Sequence, residues 1–154
     1  MSTHHGILLH VVFSTKYRKP LIADDWRAEL FAYIGGIVKD HKATLLKAGG
    51  TEDHVHLLLC THPDVAISKT VQLLKANSSK WVNEQRKTKV KFSWRRGYGA
   101  FSVSQSMADT VKRYVANQQA HHQKESFESE YVRMLRLHRV EFDSQYVFER
   151  EIVA

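Results

Sequence analysis

The sequence is short of several things, and each shortage excludes a class of protein. It has one cysteine, Cys60, in 154 residues. No intramolecular disulfide framework is possible, and a reducing cytoplasm is the expected setting. Prolines number only 2, against a hydrophobic fraction of 43%, which argues for a folded globular chain and against a disordered one. Long apolar runs are missing too. The longest, GILLHVVF at positions 6–13, is too short to cross a bilayer, and no charged leader precedes it. No membrane partner is expected. Finally, acid is scarce relative to base: 16 Asp and Glu against 23 Lys and Arg, a formal net charge of +7. A surplus of that sign suits a polyanionic partner.

The length fits one domain with one modest core, spanning 1–154. Neither an internal repeat nor a linker rich in Gly, Ser or Pro divides it. A strand is expected from about Ile7 to Thr15, ended by Pro20. A helix follows to about Asp40, capped by Asp24 or Asp25, with Trp26, Leu30, Phe31, Ile34 and Val38 on one stripe. ATLLKAGGTEDHVHLLLC reads as a hairpin bent at Gly49 and Gly50. A second helix runs from Ile67 to about Gln85, and YGAFSVS is a fourth strand. Ser106 and Asp109 stand in capping-box spacing before a third helix reaching about residue 122. A short helix around Tyr131 to Leu137 and a polar tail complete the chain.

That order is the split β-α-β, or ferredoxin-like, arrangement: an α+β fold with an antiparallel four-stranded sheet and two helices on one face. The core would occupy about 5–104, the third helix about 106–122 and the tail about 123–154. Leu9, Val11 and Phe13 would face the two helices. His10 would lie on the opposite, open face, either as an ordinary strand residue or beside His54 and His56.

The basic surplus is uneven. RKTKVKFSWRR, Arg86 to Arg96, holds Lys87, Lys89, Lys91, Arg95 and Arg96, and Lys16, Arg18 and Lys19 follow the first strand. With Phe92 and Trp94 interleaved for base stacking, this pattern fits single-stranded nucleic acid. The competing reading is a solvated basic loop whose aromatics are buried.

His54 and His56 are two residues apart in an expected strand, so they share a face. Two neutral imidazoles at that spacing can hold one metal ion, or can simply be hydrogen-bonded in a half-exposed strand. Cys60 falls on the same face and reads as packing. Tyr114 and Gln118 are four residues apart on one helical face. The amide oxygen of Gln118 can complete a facial set with the imidazoles, leaving positions open for a phosphate oxygen and water. Tyr114 is then a plausible covalent nucleophile or, on spacing alone, an aromatic packed on the sheet.

LHVVFSTKYRKPLI, DHVHLLL, YGAFSVSQS and YVANQ occur here in order, and in them the chain resembles the single-tyrosine HUH transposases of small bacterial insertion sequences. The resemblance implies His54, His56 and Gln118 as ligands of Mg²⁺ or Mn²⁺, and Tyr114 as nucleophile. It implies cleavage and rejoining of single-stranded DNA through a 5′-phosphotyrosine link, recognition of hairpins at element ends, and no nucleotide cofactor. It also implies a homodimer in which Tyr114 of one subunit serves the histidines of the other. The relatives associated with repetitive extragenic palindromes often carry a histidine and an Asn-Pro pair after their tyrosine. YVANQQAHH stands here instead, which favours the insertion-sequence enzymes. The alternative is a non-catalytic single-stranded nucleic-acid-binding protein of the same fold. Histidine-triad hydrolases fit poorly, because Leu58 occupies the third histidine position.

Overall fold

A computed structural model describes residues 1–148; positions 149–154 of the expected tail lie outside the described residues. Four strands, β1 (Ile7–Ser14), β2 (Thr44–Gly50), β3 (His54–Thr61) and β4 (Gly99–Val103), form one sheet in the order β2-β3-β1-β4. All neighbours are antiparallel. α1 (Asp24–Asp40) and α2 (Ile67–Glu84) are the two crossover helices. This is the ferredoxin-like fold.

Alternation decides what each face carries. Leu9, Val11 and Phe13 of β1 and Val55, Leu57 and Leu59 of β3 join Leu30, Ile34 and Val38 of α1 and Val71, Leu74 and Val82 of α2 in the main core. The even-numbered residues turn the other way. Val12 stands opposite His56 in the ladder and Ser14 opposite His54, which brings the imidazoles over the centre of the second face.

That second face is not open. α3 (Ala108–Ala116), α4 (Gln118–His122) and α5 (Phe127–Leu137) lie over it. Phe127, Met134 and Leu135 pack with Val12 and Phe101, while Ala108 packs with Leu8 and Leu58 beside Cys60. The expected third helix is two helices, broken at Asn117 (φ −99°, ψ 23°). Its capping box does not form, because residues 105–107 make a 3-10 turn ahead of it. α1 is entered through Ala23, with Asp24 and Asp25 in its first turn, where their charge favours the helix terminus. α5 begins earlier than expected: Oγ of Ser126 accepts from the backbone N–H of Ser129 at 3.2 Å and caps it.

Gly49 and Gly50 belong to β2, and the bend falls at residues 51–53. Gly49 is required by close approach: a Cβ there would stand 1.8 Å from the backbone oxygen of Val115 on α3. Phe92 and Trp94 require a correction. Residues 93–95 run extended beside the end of β1, with the Lys16 N–H donating to the Ser93 oxygen and the Arg95 N–H to the Ser14 oxygen, both at 2.9 Å. Alternation along this edge sends Phe92 and Trp94 into the main core, and Nε1 of Trp94 donates to Oγ of Ser78 at 3.0 Å. Phe92 is closed off from a base, and Trp94, 9% exposed, shows only an edge, to a cleft beside it.

Candidate metal centre and nucleophile

His54 and His56 are 1% and 0% exposed. The bend before β3 orients the first: its Nδ1 lies 2.7 Å from Oδ1 of Asp53 and 2.9 Å from Oγ1 of Thr51. An imidazole whose Nδ1–H is held by a carboxylate presents a bare Nε2. Here Nε2 faces the amide oxygen of Gln118 at 3.4 Å. His56 is held by His10, with Nδ1 and Nε2 2.8 Å apart. His10 is thus part of the cluster.

Two further residues complete the group. Oε1 of Glu130, from α5, lies 2.8 Å from Nε2 of His56, 3.0 Å from Nε2 of His122 and 3.9 Å from Nε2 of His54. Burial, followed by the neighbouring His56, pushes His10 down to about 3. Burial also holds His56 down to about 4, even though Glu130 pulls the other way. Both rings are therefore neutral at pH 7. Burial acts to raise the carboxyl of Glu130, but hydrogen bonds from His122 and His56 outweigh it and hold the group ionised, well below the usual carboxylate range. His122 is raised despite its burial, chiefly by its bond to Glu130.

Tyr114 stands on the last turn of α3. Its hydroxyl donates to Oε2 of Glu130 and accepts from Nη2 of Arg133 at 3.0 Å. Arg133 is held in turn by Oε2 of Glu125 at 3.0 Å. Burial, then the carboxylate that accepts its proton, raises the phenol above its ordinary value; Arg133 opposes this. The ring of Tyr114 is 5.9 Å from that of His56. All of these residues belong to one chain.

The donor chemistry fits a divalent ion. Neutral imidazole nitrogens, an amide oxygen and an ionised carboxylate converge here, and His54, His56, His122 and Glu130 each offer one atom within 4.8 Å of the others.

The sequence pattern of IS200-like transposases matches residues 3–118 of this chain. The chain belongs to that family. The transposases for insertion sequence element IS200 from Salmonella typhimurium and Salmonella typhi are each 28% identical to it over 114 residues, 71% of this chain and 74% of theirs. Two solved structures share the fold. A protein from Deinococcus radiodurans, described as a candidate transposase, has a TM-score of 0.61 at 22% identity, covering 77% of this chain and 95% of its own. A REP-associated tyrosine transposase bound to a REP hairpin has a TM-score of 0.60 at 12% identity, over the whole of both chains.

In this IS200-like transposase the expected site residues meet: His54, His56 and Tyr114 gather around the Glu130 carboxylate, and Gln118 faces His54. The expected nucleic-acid contacts do not all meet. Lys16, Arg95 and Arg96 line one cleft of about 800 Å³ with Tyr17, Tyr98 and Phe127. Phe127 also packs on the ring of His54 at 4.6 Å, so one side chain stands between this cleft and the histidine cluster. Lys19 lies over the ring of Tyr17. Arg18 is turned to Asp53 and Glu128 and sits over Phe127. Lys87 pairs with Glu29 on α1 at 2.9 Å, away from the cleft, while Lys89 and Lys91 are exposed. Trp94 is buried. Among the described residues no helix is long and apolar enough to cross a membrane.

Sequence reading missed Asp53, His122, Glu130 and Arg133. Asp53 stands next to the pair it supports, and His122 closes the YVANQQAHH run, so both were within reach. Glu130 and Arg133 carried no local sign: only the packing of α5 over the sheet brings them in.

Proposed function

We propose that this chain cuts and rejoins single-stranded DNA through a covalent 5′-phosphotyrosine link on Tyr114. His54, His56 and Gln118 would hold a divalent ion, Mg²⁺ or Mn²⁺, which when bound polarises the scissile phosphate and offsets developing charge. What supports this reading above all is one carboxylate, Glu130, joined through one oxygen to His56 and through the other to the hydroxyl of Tyr114.

The phenol oxygen attacks phosphorus, and the P–O bond to the 3′-oxygen breaks. The phenol proton passes to Oε2 of Glu130, which already accepts it, and the departing 3′-oxygen takes a proton from water. Arg133 steadies the oxygen from its other side. One phosphodiester replaces another, so a different 3′-hydroxyl can reverse the step and join a new strand without a nucleotide cofactor. The cleft of Lys16, Arg95 and Arg96 would carry the strand to the site and contact hairpins at element ends. Such work belongs in the cytoplasm, where the DNA is.

The proposal extends to a homodimer with shared sites. Exchange of α3 and α4 between two copies would keep the contacts of Tyr114 and Gln118 with the sheet and carry them across an interface.

The test uses hairpin-bearing single strands labelled at either end, with Mg²⁺ or Mn²⁺. The expected product is a protein adduct on the 5′ end of the downstream fragment, lost in Tyr114→Phe with hairpin binding retained. Binding without any adduct would favour the non-catalytic alternative.

A further inference from the structure

The family match ends at residue 118, yet two donors of the cluster, the buried Glu130 and the half-buried His122, come from beyond it. Three imidazole Nε2 atoms surround one oxygen of Glu130, at 2.8, 3.0 and 3.9 Å. Atoms each about 2.1 Å from a single ion stand roughly 3.0 to 3.4 Å apart at tetrahedral or octahedral angles. The observed separations fall around those edges. The rings of His54 and His122 lie 4.3 Å apart, both turned towards the same point. His122 is 11% exposed at its side chain and lines a second cleft, so an ion has a way in.

We propose that His122 and Glu130 are protein ligands of the same ion as His54 and His56. The inference rests on the metal centre proposed above and adds to it. The centre becomes three imidazoles and a carboxylate, with Gln118 at its edge. Two consequences follow from the donor set. An anionic ligand offsets one of the ion's two charges, which a neutral amide does not. Three imidazoles also favour a first-row transition ion over Mg²⁺, which holds to oxygen and keeps its waters. A second oxygen on the same carboxylate then ties Tyr114 to the ion's ligand shell.

Co²⁺ is the probe, because its visible absorption reports nitrogen and oxygen ligation directly. The full chain, freed of metal, is titrated with Co²⁺ by absorption and by calorimetry. Glu130→Gln and His122→Ala are each expected to lose affinity by about tenfold or more and to shift the spectrum. Gln118→Ala is expected to change both less. Millimolar Mg²⁺ should not displace Co²⁺. His54→Ala and His56→Ala tell the two ideas apart. If they abolish binding while Glu130→Gln and His122→Ala match the parent, the added ligands are refuted and the strand-histidine centre stands. If the parent itself binds no Co²⁺, both fall. Displacement by that millimolar Mg²⁺ would overturn the three-imidazole set. Should Glu130→Gln fail to fold, His122→Ala, at a partly exposed position, carries the test.

Discussion

The hydroxyl of Tyr114 donates to Glu130, sixteen residues further along the chain. The bond ties the end of α3 to the first turns of α5, across the break at Asn117. It ranks the active-site groups by origin. His54 and His56 are fixed by the sheet, whereas the proposed nucleophile is fixed by the helices that cover the sheet's second face. Chemistry here depends on how α3 to α5 are docked, and the predictions follow from that division.

Sharing of the site is tested by complementation. Tyr114→Phe and His56→Ala, each inactive alone, are co-expressed and purified as mixed dimers through two tags. Exchange of α3 and α4 gives such a dimer one intact site, so adduct formation is expected to return at about half the level of the parent dimer. A verified mixed dimer that forms no adduct, or a chain that is monomeric in ultracentrifugation, rejects sharing and leaves a site built within one chain.

The basic residues should divide by place. Neutralising Lys16, Arg95 and Arg96 is expected to weaken single-strand binding and to lower its log–log salt slope by up to about 2, at roughly 0.7 per phosphate contact. Neutralising Lys87, Lys89 and Lys91 should change the slope far less, since Lys87 is engaged with Glu29 away from the cleft. Titrations at four salt concentrations decide it, and equal losses from both sets would displace the strand from the cleft.

Acid should destabilise the metal-free protein in a defined window. His10 and His56 are held down to about 3 and 4, from 6.5. Unfolded chains bind protons at 6.5 that the folded chain refuses until lower pH. The stability of the neutral rings is therefore full above 6.5 and is lost as pH falls from there towards their folded values. The slope is about 1.4 kcal/mol per pH unit for each histidine. Glu130 adds its own loss only below its ordinary 4.5, and His122, raised, acts above 6.5. Urea unfolding between pH 6.5 and 5 in chelator should show the slope, and His10→Leu should roughly halve it.

Trp94→Ala should cost about 3–5 kcal/mol of stability, because the ring fills core against Phe13 and Phe92. Trp94→Phe keeps most of that volume and loses the bond to Ser78, at about 1 kcal/mol. Neither should change the salt slope of DNA binding. A specific binding loss in Trp94→Phe would return the ring to the DNA surface.

The sheet and its two crossover helices were legible because their periods are clean. Leu9, Val11 and Phe13 alternate, and Leu30, Ile34 and Val38 recur at helical spacing. The same alternation runs through KFSWR at 91–95, with Phe92 and Trp94 inside and Lys91 and Arg95 outside, but there it is overlaid by a run of basic charge. At the candidate site, spacing put His54 with His56 on one strand face and Tyr114 with Gln118 on one helix face, and the resemblance to HUH transposases joined the two pairs. Glu130 was not legible. Its relation to His56 spans 74 residues and depends on α5 crossing the sheet, which no local pattern encodes.

Gly49 carries a genetic consequence. A methyl group there would strike the Val115 carbonyl, whichever copy supplies α3, while β3 and its histidines lie on a neighbouring strand. Gly49→Ala should therefore be a separation-of-function allele: hairpin held, nucleophile withheld. Were helices traded between copies, the allele would not be simply recessive. A mutant subunit would still lend its tyrosine to a normal neighbour while refusing the one offered in return, so each mixed pair would cut at one end of the element and leave the other joined.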